Sequence, residues 1–213
     1  MKEFPHKPLK LGVLGSGRGS NFIAIADAIA SNRLHAEIVL VASDFANAPI
    51  LTEARQRNLP VYACPQSAYK TKLEPEIETA LAHELQKAGA VLVVLAGFMR
   101  VIKAPLLSAF PNKIINIHPS LLPAFPGLRA WEQALQAGAK ETGCTVHWVN
   151  DQIDAGQIIA QATVPVLPTD TAETLHARIQ KAEHQLFPNV LEKMFRLASK
   201  VNDTEGGLEI SST

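Results

Sequence analysis

Leu9-Lys10-Leu11-Gly12-Val13-Leu14-Gly15-Ser16-Gly17-Arg18-Gly19-Ser20-Asn21 is the stretch whose reading decides the fold. Residues 9–14 read as a buried strand, because apolar side chains run along it with little alternation. Gly15, Gly17 and Gly19 then make a tight turn, and an alanine- and isoleucine-rich run over residues 21–31 reads as a helix. Strand, glycine loop and helix in that order open a doubly wound α/β sheet.

The unit repeats downstream. Strands are expected at 38–42, 60–63, 91–96 and 113–117, separated by helices at 50–56, 74–87 and 104–110. The run at 91–96 is continuously apolar, as a strand covered on both faces requires. Such β-α repetition implies a mostly parallel sheet with right-handed crossovers. After Pro126-Gly127 the pattern changes: a helix near 130–137 precedes two strand-like runs, 144–149 and 158–166. The polar loop 150–157 between them can turn a hairpin at the sheet edge, giving an antiparallel C-terminal part. Thr171 is a plausible N-cap for a last helix ending near Leu197. Residues 198–213 show no packing pattern and are expected to form a loose tail, leaving one domain over 9–197.

Composition narrows the function classes. The 213 residues are 47% hydrophobic and 19% charged, with 20 basic and 20 acidic side chains. That length suits one well-buried domain. A net charge near zero argues against nucleic-acid and membrane-surface partners, which usually recruit a basic excess. No apolar run approaches the roughly 20 residues of a membrane span, and no apolar h-region follows the N-terminal lysines. Cys64 and Cys144 lack metal-type spacing and read as free thiols of a reducing cytoplasm. Monomer and homodimer both remain open.

Two segments carry chemistry. The glycine loop leads into a helix N-terminus, which offers unpaired N–H groups to an anion such as a phosphate. It is neither a Walker A loop, lacking the Gly-Lys-Ser/Thr, nor a good dinucleotide fingerprint, since Ser20 stands where the third glycine belongs. Asp44 ends the second strand where a ribose-binding acid would sit. The other segment is Ile115-Asn116-Ile117-His118-Pro119-Ser120-Leu121-Leu122-Pro123. Side chains at i and i+2 of a strand share a face, so Asn116 and His118 project together from a strand end. An amide donor beside a proton donor is what a developing oxyanion requires. His147 shares a strand face with Thr145 and Val149, and two readings of it stand: a residue lining the site, or a packed strand residue.

Taken in order, the segments resemble the folate-dependent phosphoribosylglycinamide formyltransferases over residues 9–197. The resemblance rests on G-S-G-R-G-S-N at 15–21, L-A-G-F-M-R at 95–100, N-I-H-P-S-L-L-P-A-F-P-G at 116–127, T-G-C-T-V-H at 142–147 and D-Q-I-D-A-G-Q-I-I-A-Q at 151–161. It implies a Rossmann-like formyltransferase domain that moves a formyl group from 10-formyltetrahydrofolate to the amine of glycinamide ribonucleotide, with no metal. Asn116, His118 and Asp154 match the family's catalytic trio. Gly19, Ser20 and Asn21 match the phosphate cradle, and Gln180 and Glu183 match contacts to the phosphoribosyl part. Met99, Arg100, Val101 and Ile102 match the folate pocket, together with Asn116 and the loop Asn150, Asp151, Gln152, Ile153 and Asp154. Lys72 matches a basic residue near the folate glutamate tail. The chain departs from the family at Ser43-Asp44, where a Ser-Asn pair is commoner.

In that reading Asp154 folds over the strand end, keeps the His118 imidazole charged, and relays protons through a water. Three rivals differ in visible features. A 10-formyltetrahydrofolate hydrolase shares the trio, but its family carries a further N-terminal domain and tends to read H-H-S-F at the strand end. A methionyl-tRNA formyltransferase would carry a C-terminal domain and a basic surface. A non-catalytic nucleotide- or folate-binding module would bind without turnover.

Overall fold

The computed structural model describes residues 7–205. Its elements follow in the order β1 (Leu9–Leu14), α1 (Ser20–Ala30), β2 (Ala36–Ser43), α2 (Pro49–Gln56), β3 (Val61–Ala63), α3 (Pro75–Lys87), β4 (Leu92–Leu95) and α4 (Ala104–Ala109). Then come β5 (Ile114–His118), α5 (Ala130–Gln136), β6 (Glu141–Trp148), β7 (Ile158–Pro165) and α6 (Ala172–Glu205).

One sheet of seven strands, ordered β3-β2-β1-β4-β5-β6-β7, organises the chain. β1 pairs in parallel with β2 and β4, β2 with β3, and β4 with β5. β6 and β7 join antiparallel, as the turn-forming loop between them predicts. The central strands are apolar because helices cover both faces. Every residue of β4 is buried, whereas edge strand β7 is mostly exposed or half-buried. Phe22, Ile25, Leu51, Ile179 and Phe187 pack on one face, bringing α1, α2 and α6 together. Leu81, Leu85 and Leu106 pack on the other, from α3 and α4, with Phe110 just past the end of α4.

The topology positions the site. From β1 the chain crosses to β2 on one side, and β4 lies on the other, so the crossovers diverge at their C-terminal ends. Open α/β sheets bind ligands in that crevice. Proline at the first turns of α2, α3 and α4 helps start the helices there, since the missing N–H is unpaired anyway.

The last helix departs from expectation. Thr171 caps it as the sequence predicts, its Oγ1 accepting the Thr174 N–H at 3.3 Å. The helix then runs to Glu205 rather than stopping near Leu197. Apolar periodicity ends at Leu197, but no Gly or Pro lies between Leu197 and Gly206, and extending a nucleated helix needs only one residue ordered per hydrogen bond. Residues 198–205 of the expected loose tail are therefore helical, and residues 206–213 lie outside the described residues. Among the described residues no helix is long and apolar enough to cross a membrane.

Candidate active site

The antiparallel register of β5 and β6 sets Asn116 opposite His147 and His118 opposite Thr145. Alternation along each strand then puts all four polar side chains on one face. Asn116 Nδ2 lies 3.1 Å from His147 Nε2, and the other ring nitrogen of His147 lies 2.8 Å from the Trp148 carbonyl. Thr145 is turned to structure: its hydroxyl donates to the Ser120 carbonyl at 2.7 Å and accepts the Leu122 N–H.

Asp154 arrives from the β6–β7 loop with a left-handed φ of 51°. Its Oδ2 accepts the Gly127 N–H at 2.8 Å and lies 3.3 Å from His118 Nδ1. Its Oδ1 lies 3.7 Å from His147 Nε2. His118 Nε2 sits 2.9 Å from the Phe125 carbonyl, so both ring nitrogens face acceptors and a ring carrying two N–H groups satisfies both. The predicted trio of Asn116, His118 and Asp154 thus converges, although 36 residues separate Asp154 from the imidazole that it faces (154 minus 118).

A cleft of about 360 Å³ opens over this floor. Of the residues expected at a folate pocket, Met99, Arg100, Val101, Ile102, Asn116, Asn150, Gln152, Ile153 and Asp154 line it. Asp151 and Lys72 do not. Lys72 instead holds its ammonium 4.4 Å over the Tyr69 ring. Arg100 contributes to the wall while its guanidinium turns away, to the Asp44 carboxylate and the Tyr69 carbonyl. Asp44, 3% exposed, is therefore a buried counter-ion rather than a ribose-binding acid. Sequence reasoning missed Leu128, Trp131 and Val149 in the wall. An aromatic on a short amphipathic helix reads as core, yet Trp131 stacks flat on His176, centroids 3.7 Å apart, at the rim.

The glycine loop lies alongside. Ser16 receives the Met99 N–H on its hydroxyl at 2.8 Å and donates its own N–H to the Gly97 carbonyl at 3.0 Å. The loop is thereby tied to the cleft wall. Ile23 N–H to Gly19 carbonyl is the first bond of α1, so the N–H groups of Ser20, Asn21 and Phe22 have no intrahelical partner. Gly19 is needed for the fold itself: φ is +75°, and a Cβ there would meet Ile50 Cγ1 at 2.6 Å. Asn21 Nδ2 donates to Glu183 Oε2 at 2.9 Å, joining α1 to α6, while Asn21 Oδ1 is buried without a partner. Gln180 is one turn earlier on α6 and half-buried.

Burial sets the titration of these groups. It pushes the Glu183 carboxyl from 4.5 up to about 7, outweighing the Asn21 hydrogen bond. It pulls His147 down from 6.5, more strongly than the Trp148 hydrogen bond and the Asp154 charge raise it. It pushes the Cys64 and Cys144 thiols up to about 12, so neither supplies a thiolate nucleophile at neutral pH. Among the described residues, no group of three or more His, Cys, Asp or Glu is placed to hold a metal ion.

A strand-end amide and imidazole, closed over by a loop carboxylate beside an anion-ready turn, define a class. The chain belongs to the formyl transferase family, whose match covers residues 9–191. Within it, the chain is similar to the phosphoribosylglycinamide formyltransferase of Bacillus subtilis (strain 168), 40% identical over 191 residues, covering 90% of this chain and 97% of that one. The fold matches glycinamide ribonucleotide transformylase 1 from Symbiobacterium toebii with a TM-score of 0.84 and 45% identity, covering 90% of each chain. The trifunctional purine biosynthetic protein adenosine-3 of Drosophila melanogaster is 43% identical over 184 residues, 85% of this chain. The chain spans only 14% of that protein's length.

Proposed function

We propose that this chain transfers the formyl group of 10-formyltetrahydrofolate to the amine of 5-phosphoribosylglycinamide, yielding formylglycinamide ribonucleotide and tetrahydrofolate in de novo purine biosynthesis. The observation that carries this reading is the convergence of Asn116, His118 and Asp154 on the floor of one cleft, with the glycine loop bonded to its wall.

The neutral amine attacks the formyl carbon, and its nitrogen becomes cationic as the carbonyl oxygen gains negative charge. Asn116 Nδ2 is the donor for that oxygen, joined by the His118 Nε2–H when it leaves the Phe125 carbonyl. The amine then loses a proton, the bond from formyl carbon to folate nitrogen breaks, and that nitrogen leaves with a proton. His118 is the group placed to pass it, with Asp154 orienting the ring through Nδ1. The unpaired N–H groups at the start of α1 are the phosphate cradle, with Gly19, Ser20 and Asn21. Gln180 and Glu183, on α6 beside Asn21, are the contacts to the phosphoribosyl part. The cleft between Met99–Ile102 and the 150–154 loop takes the folate ring system, and Lys72, 4.4 Å over the Tyr69 ring, takes its acidic tail. Free, buried cysteines accord with a cytoplasmic compartment.

The test is acceptor dependence. Tetrahydrofolate release from 10-formyltetrahydrofolate is expected only when glycinamide ribonucleotide is present. Equal release without it would mark a hydrolase and overturn the proposal.

A further inference from the structure

His147 stands under the reacting face without belonging to the trio, and its surroundings fix which proton it carries. The ring is 2% exposed. Its Nδ1 faces the Trp148 carbonyl at 2.8 Å; a carbonyl only accepts, so Nδ1 bears the hydrogen. In a neutral ring Nε2 is then a bare acceptor. The group facing it at 3.1 Å is the Asn116 amide nitrogen, which only donates. That bond uses one of the two amide hydrogens and holds the amide plane, leaving the second hydrogen to point elsewhere.

The support behind the ring is built into the fold. Gly156 packs so closely on the Trp148 carbonyl that a Cβ there would come within 1.7 Å of that oxygen. The Trp148 N–H donates to the Gln157 carbonyl at 2.9 Å. The β6–β7 register shifts between Val146 and His147, leaving Ile159 of β7 as the extra residue across from the ring's strand. The charged and titratable groups facing the ring are Asp154, its Oδ1 3.7 Å from Nε2, and His118.

We propose that His147 is the positioning residue for Asn116: a neutral imidazole protonated on Nδ1, whose Nε2 takes one amide proton and so aims the other at the oxygen of the transferred group. The inference rests on the formyl-transfer reading for the identity of that oxygen, but the hydrogen bond itself is independent of it. Burial, which lowers the ring's affinity for a second proton, keeps Nε2 free to accept.

Two measurements test it. In the ligand-free parent, nitrogen NMR of the ring should show Nδ1 protonated and Nε2 bare at pH 7 to 8, with the Asn116 amide shifted on His147→Gln substitution. A protonated Nε2 there would overturn the proposal whatever the activity proves to be. In turnover, His147→Ala should lower kcat by about 10- to 100-fold, less than the roughly 10²- to 10³-fold typical of deleting an oxyanion donor outright. KM for both substrates should stay within about threefold, since an aim that matters in the transition state is lost. His147→Gln, which can still donate to Trp148 and accept from Asn116, should recover most of kcat. Equal losses in the two variants, or a parent-like alanine variant, would refute a positioning role. If the parent shows no acceptor-dependent transfer, the proposed function fails while the NMR result still decides the His147–Asn116 bond.

Discussion

Replacing Glu183 with glutamine should make the protein more stable at alkaline pH than at acid pH relative to the parent. Glu183 is 5% exposed and faces Asn21 across the α1–α6 contact. Its carboxyl rises from 4.5 in the open chain to about 7 in the fold. Below 4.5 both states hold the proton, and the stabilisation from its tighter hold in the fold is fully present. As pH rises, the unfolded chain ionises first, so stability falls until the folded group also ionises near 7. A 2.5-unit separation corresponds to about 3 kcal/mol between the limits, of which roughly 2.5 kcal/mol falls between pH 5 and pH 8. Glutamine cannot ionise, so the parent-minus-variant difference in unfolding free energy isolates this contribution from other titrations. Urea unfolding at pH 5, 6, 7 and 8 measures it, and the melting temperature difference should move by about 5–10 °C over that range. The parent should lose ground steadily toward pH 8. A difference that does not change with pH would mean that Glu183 does not titrate in this window, and the burial argument would fail.

Other outcomes follow from the same geometry. Asn116→Ala should lower kcat by about 10²- to 10³-fold with little change in either KM, read by steady-state kinetics; a KM effect alone would make it a binding residue. Gly19→Val should destabilise by about 1–3 kcal/mol in thermal melts, because a left-handed φ and the Ile50 contact forbid the side chain. Gly17→Val, where a Cβ meets nothing within 4 Å, should fold like the parent and raise only the ribonucleotide KM. Arg100→Leu strands the buried Asp44 carboxylate and should cost about 3–5 kcal/mol by urea titration, part of it recovered by adding Asp44→Asn.

What the chain alone determined was whatever depends on near neighbours in sequence. Apolar runs such as residues 91–96 mark covered strands, glycines at 15, 17 and 19 mark the first turn, and the polar stretch 150–157 marks the hairpin. The two-residue period of a strand was enough to put Asn116 and His118 on one face. The family resemblance added Asp154 and Glu183, which no local pattern distinguishes from a turn aspartate and a helix surface glutamate. Tertiary structure decided the rest, because the deciding contacts join distant segments. Asn21 meets Glu183 across 162 residues, and Arg100 swings its guanidinium from the cleft to Asp44 across 56. His147 was ambiguous as a strand residue, for period two tells which face it occupies and not what lies on that face. Only the β5–β6 register, which sets it against Asn116, and the Trp148 carbonyl turned to its other nitrogen give the two nitrogens their separate partners. Register is a property of paired strands, where burial of one whole face selects among slips of the chain, and no single strand contains that information.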